Sequence, residues 1–205
     1  DMRLRPSGNQ GPVATSWESF KHYQTSEAWV WEHLALVNAT IITGPEGLKA
    51  DISEFCKSLK TLRPDEKVMS GLSIMRKRLL ASRSMDEKWS LKLGQGKLQD
   101  IELVSQMGIL LSNENISGVH SGLTNLNKLK KICAEDLNYL INTYELLLSV
   151  QILSKLLLKE DIKDRELGAN GKDLLFKYTD TSSIPSLIEK IAEMTAKSAT
   201  IISNI

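Results

Sequence analysis

The sequence predicts a mainly α-helical protein, a helical bundle preceded by one short strand. Three observations point there. From about residue 120 onward, apolar side chains recur at helical spacing in a Leu/Ile/Lys/Asn mixture. Asp1 to Arg5 instead alternates charged and apolar side chains, as a half-buried strand does. Finally, the four tryptophans (Trp17, Trp29, Trp31, Trp89) all fall in the first 89 residues, and four of the five prolines fall in the first 64, so the chain changes texture along its length.

Taken in order, Met2 and Leu4 would face a core while Asp1, Arg3 and Arg5 share the other face. Pro6 stops ladder pairing, and residues 7–12 read as a loop. Thr15 or Ser16 can cap a helix running to Gln24. A second helix is expected from Glu27 to Ile42, ended by Gly44-Pro45. Further helices are predicted over about 46–60, 67–83, 98–112, 123–132, 134–159, 170–178 and 184–203. Leu137, Leu140, Ile141, Tyr144, Leu147 and Leu148 form one apolar face, and Ile184, Leu187, Ile188, Ile191 and Met194 form another behind a first-turn Pro185. Nothing in residues 46–205 predicts a further strand.

Composition narrows the class. With 205 residues there is enough chain for a sizeable core, and the formal net charge of +1 predicts neither a nucleic-acid surface nor an anionic membrane partner. Two cysteines, Cys56 and Cys133, are too few for a disulfide framework, which fits a reducing, cytoplasmic compartment; both read as buried thiols. No apolar run approaches the length of a membrane span and no signal-peptide pattern opens the chain.

Three clusters could carry chemistry. In the first, Asp1 could ligate Mg²⁺ while Arg3 and Arg5 neutralise phosphate oxygens. On spacing alone, an exposed strand face with self-neutralising charges is the more economical reading. The second is Trp29-Val30-Trp31-Glu32-His33, where Trp29, Glu32, His33 and Leu36 share a helical face. No His-Glu-x-x-His occurs, so zinc is unsupported, and packing anchors are favoured over a substrate shelf. The third runs from Lys92 through Gly94 and Gly96 to Asp100 and Glu102; it lacks the Walker ending, and a first-turn preference for carboxylates explains the acids without function. Met75-Arg76-Lys77-Arg78 reads as the solvated face of a helix, and His22 and His120 as surface residues.

Taken together and in order, these segments carry a resemblance. Asp1-Met2-Arg3-Leu4-Arg5-Pro6-Ser7-Gly8-Asn9-Gln10-Gly11-Pro12-Val13, then Phe20-Lys21-His22-Tyr23-Gln24, then Ala28 to Val37, then Met75-Arg76, and finally Lys92 with Gly96 to Gln106 resemble the bacterial glutamine synthetase adenylyltransferase family. The tryptophan-rich segment is similar to the C-terminal, adenylylating half rather than the deadenylylating one. Beyond residue 112 only a helical layout with an aromatic near Tyr144 is shared. The resemblance implies a polymerase-beta-like nucleotidyltransferase that uses Mg²⁺ and ATP to place AMP on a tyrosine of glutamine synthetase, under control of glutamine and PII signal proteins. It implies that Asp1 is the third metal carboxylate and that Arg3 and Arg5 match the arginines beside it, for which charge and position suggest nucleotide binding; Trp29, Glu32, Lys92, Asp100 and Glu102 are candidates for a domain interface or substrate contact.

It also divides the chain into the terminal strand and helices of a truncated α+β nucleotidyltransferase domain over 1–48 and a helical-bundle domain over 49–205. Three departures stand out. No Gly-Ser turn with an Asp-x-Asp pair occurs in residues 1–205, so two of the metal carboxylates are lacking and the chain alone is expected to be inactive. Asn38-Ala39-Thr40 stands where the family carries Arg-x-Arg, and Lys97 and Leu103 replace a glycine and a phenylalanine. The alternative expectation is a non-catalytic helical module that binds glutamine synthetase or a PII protein.

Overall fold

The structure is a computed structural model that describes residues 12, 14–59, 64–81, 90–112, 116–158 and 167–205. The predicted strand over 1–5 lies outside the described residues. Among those described the protein is helical and contains no strand: α1 (Trp17–Ser26), α2 (Val30–Leu36), α3 (Glu46–Leu59), α4 (Asp65–Ala81), α5 (Leu98–Leu110), α6 (Val119–Lys128), α7 (Ala134–Leu158), α8 (Ala169–Thr179) and α9 (Ile184–Ser203).

Local chemistry sets several of the ends. The Ser16 hydroxyl accepts from the Ser19 N–H at α1 and the Ser183 hydroxyl from the Ser186 N–H at α9, with Pro185 in the first turn of α9. Two of the helices differ from expectation. The α2 helix stops at Leu36, well short of Ile42, because Asn38 and Ala39 close tight turns back to Ala35 and Leu36. Asn38 and the β-branched Thr40, Ile41 and Ile42 favour the helix weakly, and Ile42 is 92% exposed, so no burial holds the segment helical. The α6 helix begins four residues early, after Gly118 at φ +82, and ends in a reverse turn at Lys130 (φ +57). There the Lys130 and Lys131 N–H groups bond to Asn127 and Leu126, satisfying the last carbonyls of the helix.

Two adjoining cores form. Leu34 of α2 meets Val68 and Leu72 of α4, Ile101, Val104 and Met107 of α5, Leu123 and Leu126 of α6, Leu140 of α7 and Ile201 of α9 in the first. The second gathers Leu91, Leu98, Leu147, Val150, Leu175, Leu187 and Ile191, and Tyr144 packs against both. At its centre α5 is buried on nearly every side, and it crosses α6 at main-chain contact. A Cβ on Gly108 would lie 2.1 Å from the Gly122 carbonyl oxygen, and one on Gly122 would lie 2.2 Å from that of Ser105. The same crossing is stitched by the Asn125 amide donating to the Gly108 carbonyl (2.9 Å) and the Ser105 hydroxyl donating to the Val119 carbonyl (3.0 Å).

Residues Ala134–Leu157 of α7 are long and apolar enough, by length and composition alone, to cross a membrane, which differs from the sequence expectation. The apolar content has a packing cause: Leu140, Leu146, Leu147, Val150 and Leu153 are buried against neighbouring helices. Cys133 also differs from expectation. It is exposed, since it sits just before α7 with its sulfur accepting from the Asp136 N–H; Cys56 is half-buried, and burial pushes its thiol pKa up.

Candidate functional site

Sequence order places the candidate residues in three groups. Asp1, Arg3 and Arg5 lie outside the described residues. Trp29 and Glu32 meet at the start of α2. Lys92, Asp100 and Glu102 meet at the start of α5. What joins the last two groups is α4, through two arginines only two positions apart.

At α2 the Glu32 carboxylate is fully engaged. One oxygen accepts from the Trp29 N–H at 2.7 Å and so satisfies a free donor at the helix start; the other accepts from the Tyr23 hydroxyl at 2.6 Å and ties α1 to α2. Nearby, the buried His33 ring donates from Nε2 to the Gln24 carbonyl, a second α1–α2 link. Trp17 and Phe20 of α1 pack with Phe55 of α3, at centroid distances of 5.4 Å and 6.1 Å. Trp29 itself is 59% exposed, with the Arg78 guanidinium 5.6 Å from its ring centroid, within reach of a cation–π contact. Between α2 and α4 lies a cleft of about 180 Å³ lined by Trp29, Val30, Trp31, Lys67, Ser70, Gly71, Ile74, Met75 and Arg78.

At α5 the arrangement is a clasp. Arg76 of α4 reaches Asp100 with Nε to Oδ1 at 2.6 Å and Nη2 to Oδ2 at 3.0 Å, a bidentate pair whose side chains are 17% and 8% exposed. Oδ2 also accepts from the Gly96 N–H at 2.8 Å, so the carboxylate gathers the glycine turn before α5 as well. Arg76 Nη1 lies 3.5 Å from the Ile202 carbonyl near the end of α9. The turn needs its glycine: Gly96 sits at φ +66, and a Cβ there would lie 2.0 Å from the Thr195 carbonyl oxygen of α9. Beside the clasp, burial raises the Glu102 pKa while the exposed Lys92 opposes the shift; burial and the Glu102 charge together raise the Tyr144 phenol.

Sequence reasoning missed this pattern. Met75, Arg76 and Arg78 were expected on a solvated face, yet Met75 lines the cleft, Arg76 is in the clasp and Arg78 lies over Trp29. The signal available was the short Met75-Arg76 echo of the family, without a partner to give it meaning. Asp100 does stand in the first turn of α5, as expected, and in addition it makes a specific pair with Arg76. Lys97, one of the family departures, has its ammonium on the Ser90 carbonyl, a structural use. His22 and His120 are exposed as expected, facing Glu27 and Glu145. Among the described residues no three His, Cys, Asp or Glu side chains are grouped to hold a metal ion.

Comparison with known proteins places these features. Residues 1–55 match the sequence profile of the family Glutamate-ammonia ligase adenylyltransferase. The chain is 32% identical over 203 residues to the bifunctional glutamine synthetase adenylyltransferase/adenylyl-removing enzyme of Rhizobium meliloti, covering 94% of this chain and 21% of that protein. The chain is homologous to the glutamine synthetase adenylyltransferases. The enzyme of the same name from Agrobacterium fabrum is 31% identical over 194 residues, covering 91% of this chain and 20% of that one. The one from Mesorhizobium japonicum is 41% identical over 111 residues, covering 54% and 11%. The chain thus spans about a fifth of the length of the first two adenylyltransferases it matches. The profile match takes in Asp1, Arg3, Arg5, Trp29 and Glu32, whereas the α5 clasp lies beyond it.

Proposed function

We propose that residues 1–205 are the C-terminal part of a bacterial, cytoplasmic adenylyltransferase that moves AMP from ATP to a tyrosine of glutamine synthetase and so regulates nitrogen metabolism. The observation that carries this reading is 32% identity over 203 residues to an enzyme named for that activity, together with the family match over 1–55. Within it, Asp1 is the Mg²⁺ carboxylate that this segment contributes, and Arg3 and Arg5 neutralise the triphosphate. The remaining metal carboxylates come from sequence outside residues 1–205, so turnover belongs to the polypeptide that carries both. A PII protein is the proposed regulatory partner.

The test is incorporation of labelled AMP into glutamine synthetase by a polypeptide in which residues 1–205 follow a Gly-Ser and Asp-x-Asp segment. Labelling that needs Mg²⁺ and disappears in Asp1→Asn is expected; labelling retained in Asp1→Asn overturns the metal assignment. No labelling by an intact, folded protein overturns the activity. One observation favours a second reading, a non-catalytic module that binds glutamine synthetase or PII: Asn38 and Thr40 after α2 are exposed and uncharged, so these two positions offer a triphosphate no cation. Binding to glutamine synthetase by calorimetry, unchanged by Mg²⁺ and ATP and without labelling, would support it.

A further inference from the structure

The cleft between α2 and α4 has a use that adenylyl transfer leaves unassigned. Its volume of about 180 Å³ is well below the roughly 300 Å³ at which small-molecule and cofactor sites begin. That volume suits one bulky side chain. Its walls are apolar (Trp29, Trp31, Val30, Ile74 and Met75), and two of them, Trp29 and Ile74, are 59% and 51% exposed. Among the described residues its charged lining is of one sign, Lys67 and Arg78, with no carboxylate. The floor is fixed by a close helix approach, since a Cβ on Gly71 would lie 2.6 Å from Cβ of Val30. Arg78 is already positioned over Trp29 at 5.6 Å, so less ordering remains to be done on binding. Tryptophan and arginine around a small desolvating socket are the residue types that dominate protein-binding hot spots.

We propose that this cleft is the docking socket for a protein segment that inserts one large apolar side chain flanked by carboxylates. The apolar residue fills the space between Trp29 and Ile74, and the flanking acids meet Lys67 and Arg78. The inference holds whether or not the chain takes part in adenylyl transfer, because no metal or nucleotide enters the argument.

The test uses fluorescein-labelled hexapeptides read by anisotropy. The probe is Asp-Glu-Leu-Phe-Glu-Asp, with Asp-Glu-Ser-Ser-Glu-Asp and Lys-Lys-Leu-Phe-Lys-Lys as comparisons. The acidic apolar probe is expected to bind saturably with a dissociation constant below about 1 mM. Arg78→Glu and Ile74→Asp each weaken it about tenfold or more, while Leu156→Asp, on an exposed part of α7, leaves it unchanged. Circular dichroism confirms that each variant keeps its helix content, and a variant that loses it is replaced by Ser70→Tyr, which fills the cleft from an exposed position. Equal binding of the serine peptide, preference for the basic peptide, indifference to the cleft variants, absence of saturable binding, or capture by phosphatidylglycerol vesicles in place of the peptide would each overturn the proposal.

Discussion

Replacing Asp100 by alanine removes the acceptor for three donors at once: Arg76 Nε at 2.6 Å, Arg76 Nη2 at 3.0 Å and the Gly96 N–H at 2.8 Å. Removing one partner of a buried ion pair costs about 3–5 kcal/mol, because the other charge is left without compensation. Arg76 keeps 17% side-chain exposure and can take up water, which places the expected loss near the lower end, about 3 kcal/mol. For a chain of this size that corresponds to a melting point lower by about 6–12 °C. Urea unfolding followed by circular dichroism measures it, with Arg76→Met and the double variant Asp100→Ala/Arg76→Met completing a cycle. The double variant should recover at least about 1.5 kcal/mol of the summed single losses, since it buries no orphaned charge. A loss below about 1 kcal/mol for Asp100→Ala, or a coupling within about 0.5 kcal/mol of zero, would show the pair to be solvated and refute the clasp.

Other expectations follow from the same packing. Gly108→Ala drives a methyl into the Gly122 carbonyl and should destabilise by about 2–3 kcal/mol, whereas Gly47→Ala in α3 meets open space and should stabilise by about 0.5–1 kcal/mol; thermal melts of the two variants separate them. Tyr23→Phe deletes the hydroxyl that reaches Glu32 at 2.6 Å and should cost about 1 kcal/mol in urea unfolding. Because burial holds the Glu102 pKa above its unfolded value, the folded state binds the extra proton; the penalty is absent below the ordinary glutamate range and complete above the raised folded pKa. Glu102→Gln should therefore gain stability relative to the parent as pH rises through that window, and a pH series of unfolding free energies with a flat difference would contradict it.

What the sequence made legible and what it hid follow from the range of the interactions involved. The α7 and α9 helices announce themselves through apolar spacing and, for α9, through Pro185, all within one stretch of chain. The end of α2 was misplaced because Gly44-Pro45 is a strong stop signal, but the turn at Asn38 and Ala39 acts first, where no apolar burial rewards continuing. Cys133 looked like a core thiol by residue type, yet its place at the start of α7 is set by backbone geometry. The Arg76–Asp100 pair joins residues 24 positions apart on different helices, and local charge patterning reads each arginine of 75–78 as solvated. Helical spacing groups Trp29, Glu32, His33 and Leu36, but that Glu32 spends both oxygens inside the fold requires Tyr23, nine residues upstream.

The contact of α5 with α6 through Gly108 and Gly122 carries a consequence for how this architecture can drift. Where two helices meet main chain to main chain, their separation has little slack, since neither glycine has a side chain to trim. Substitutions elsewhere in the bundle can be absorbed by neighbours that shift; at this crossing, any added atom must push the axes apart. The pair works as a gauge block: it sets the α5–α6 spacing, and residues elsewhere in the bundle can change around it.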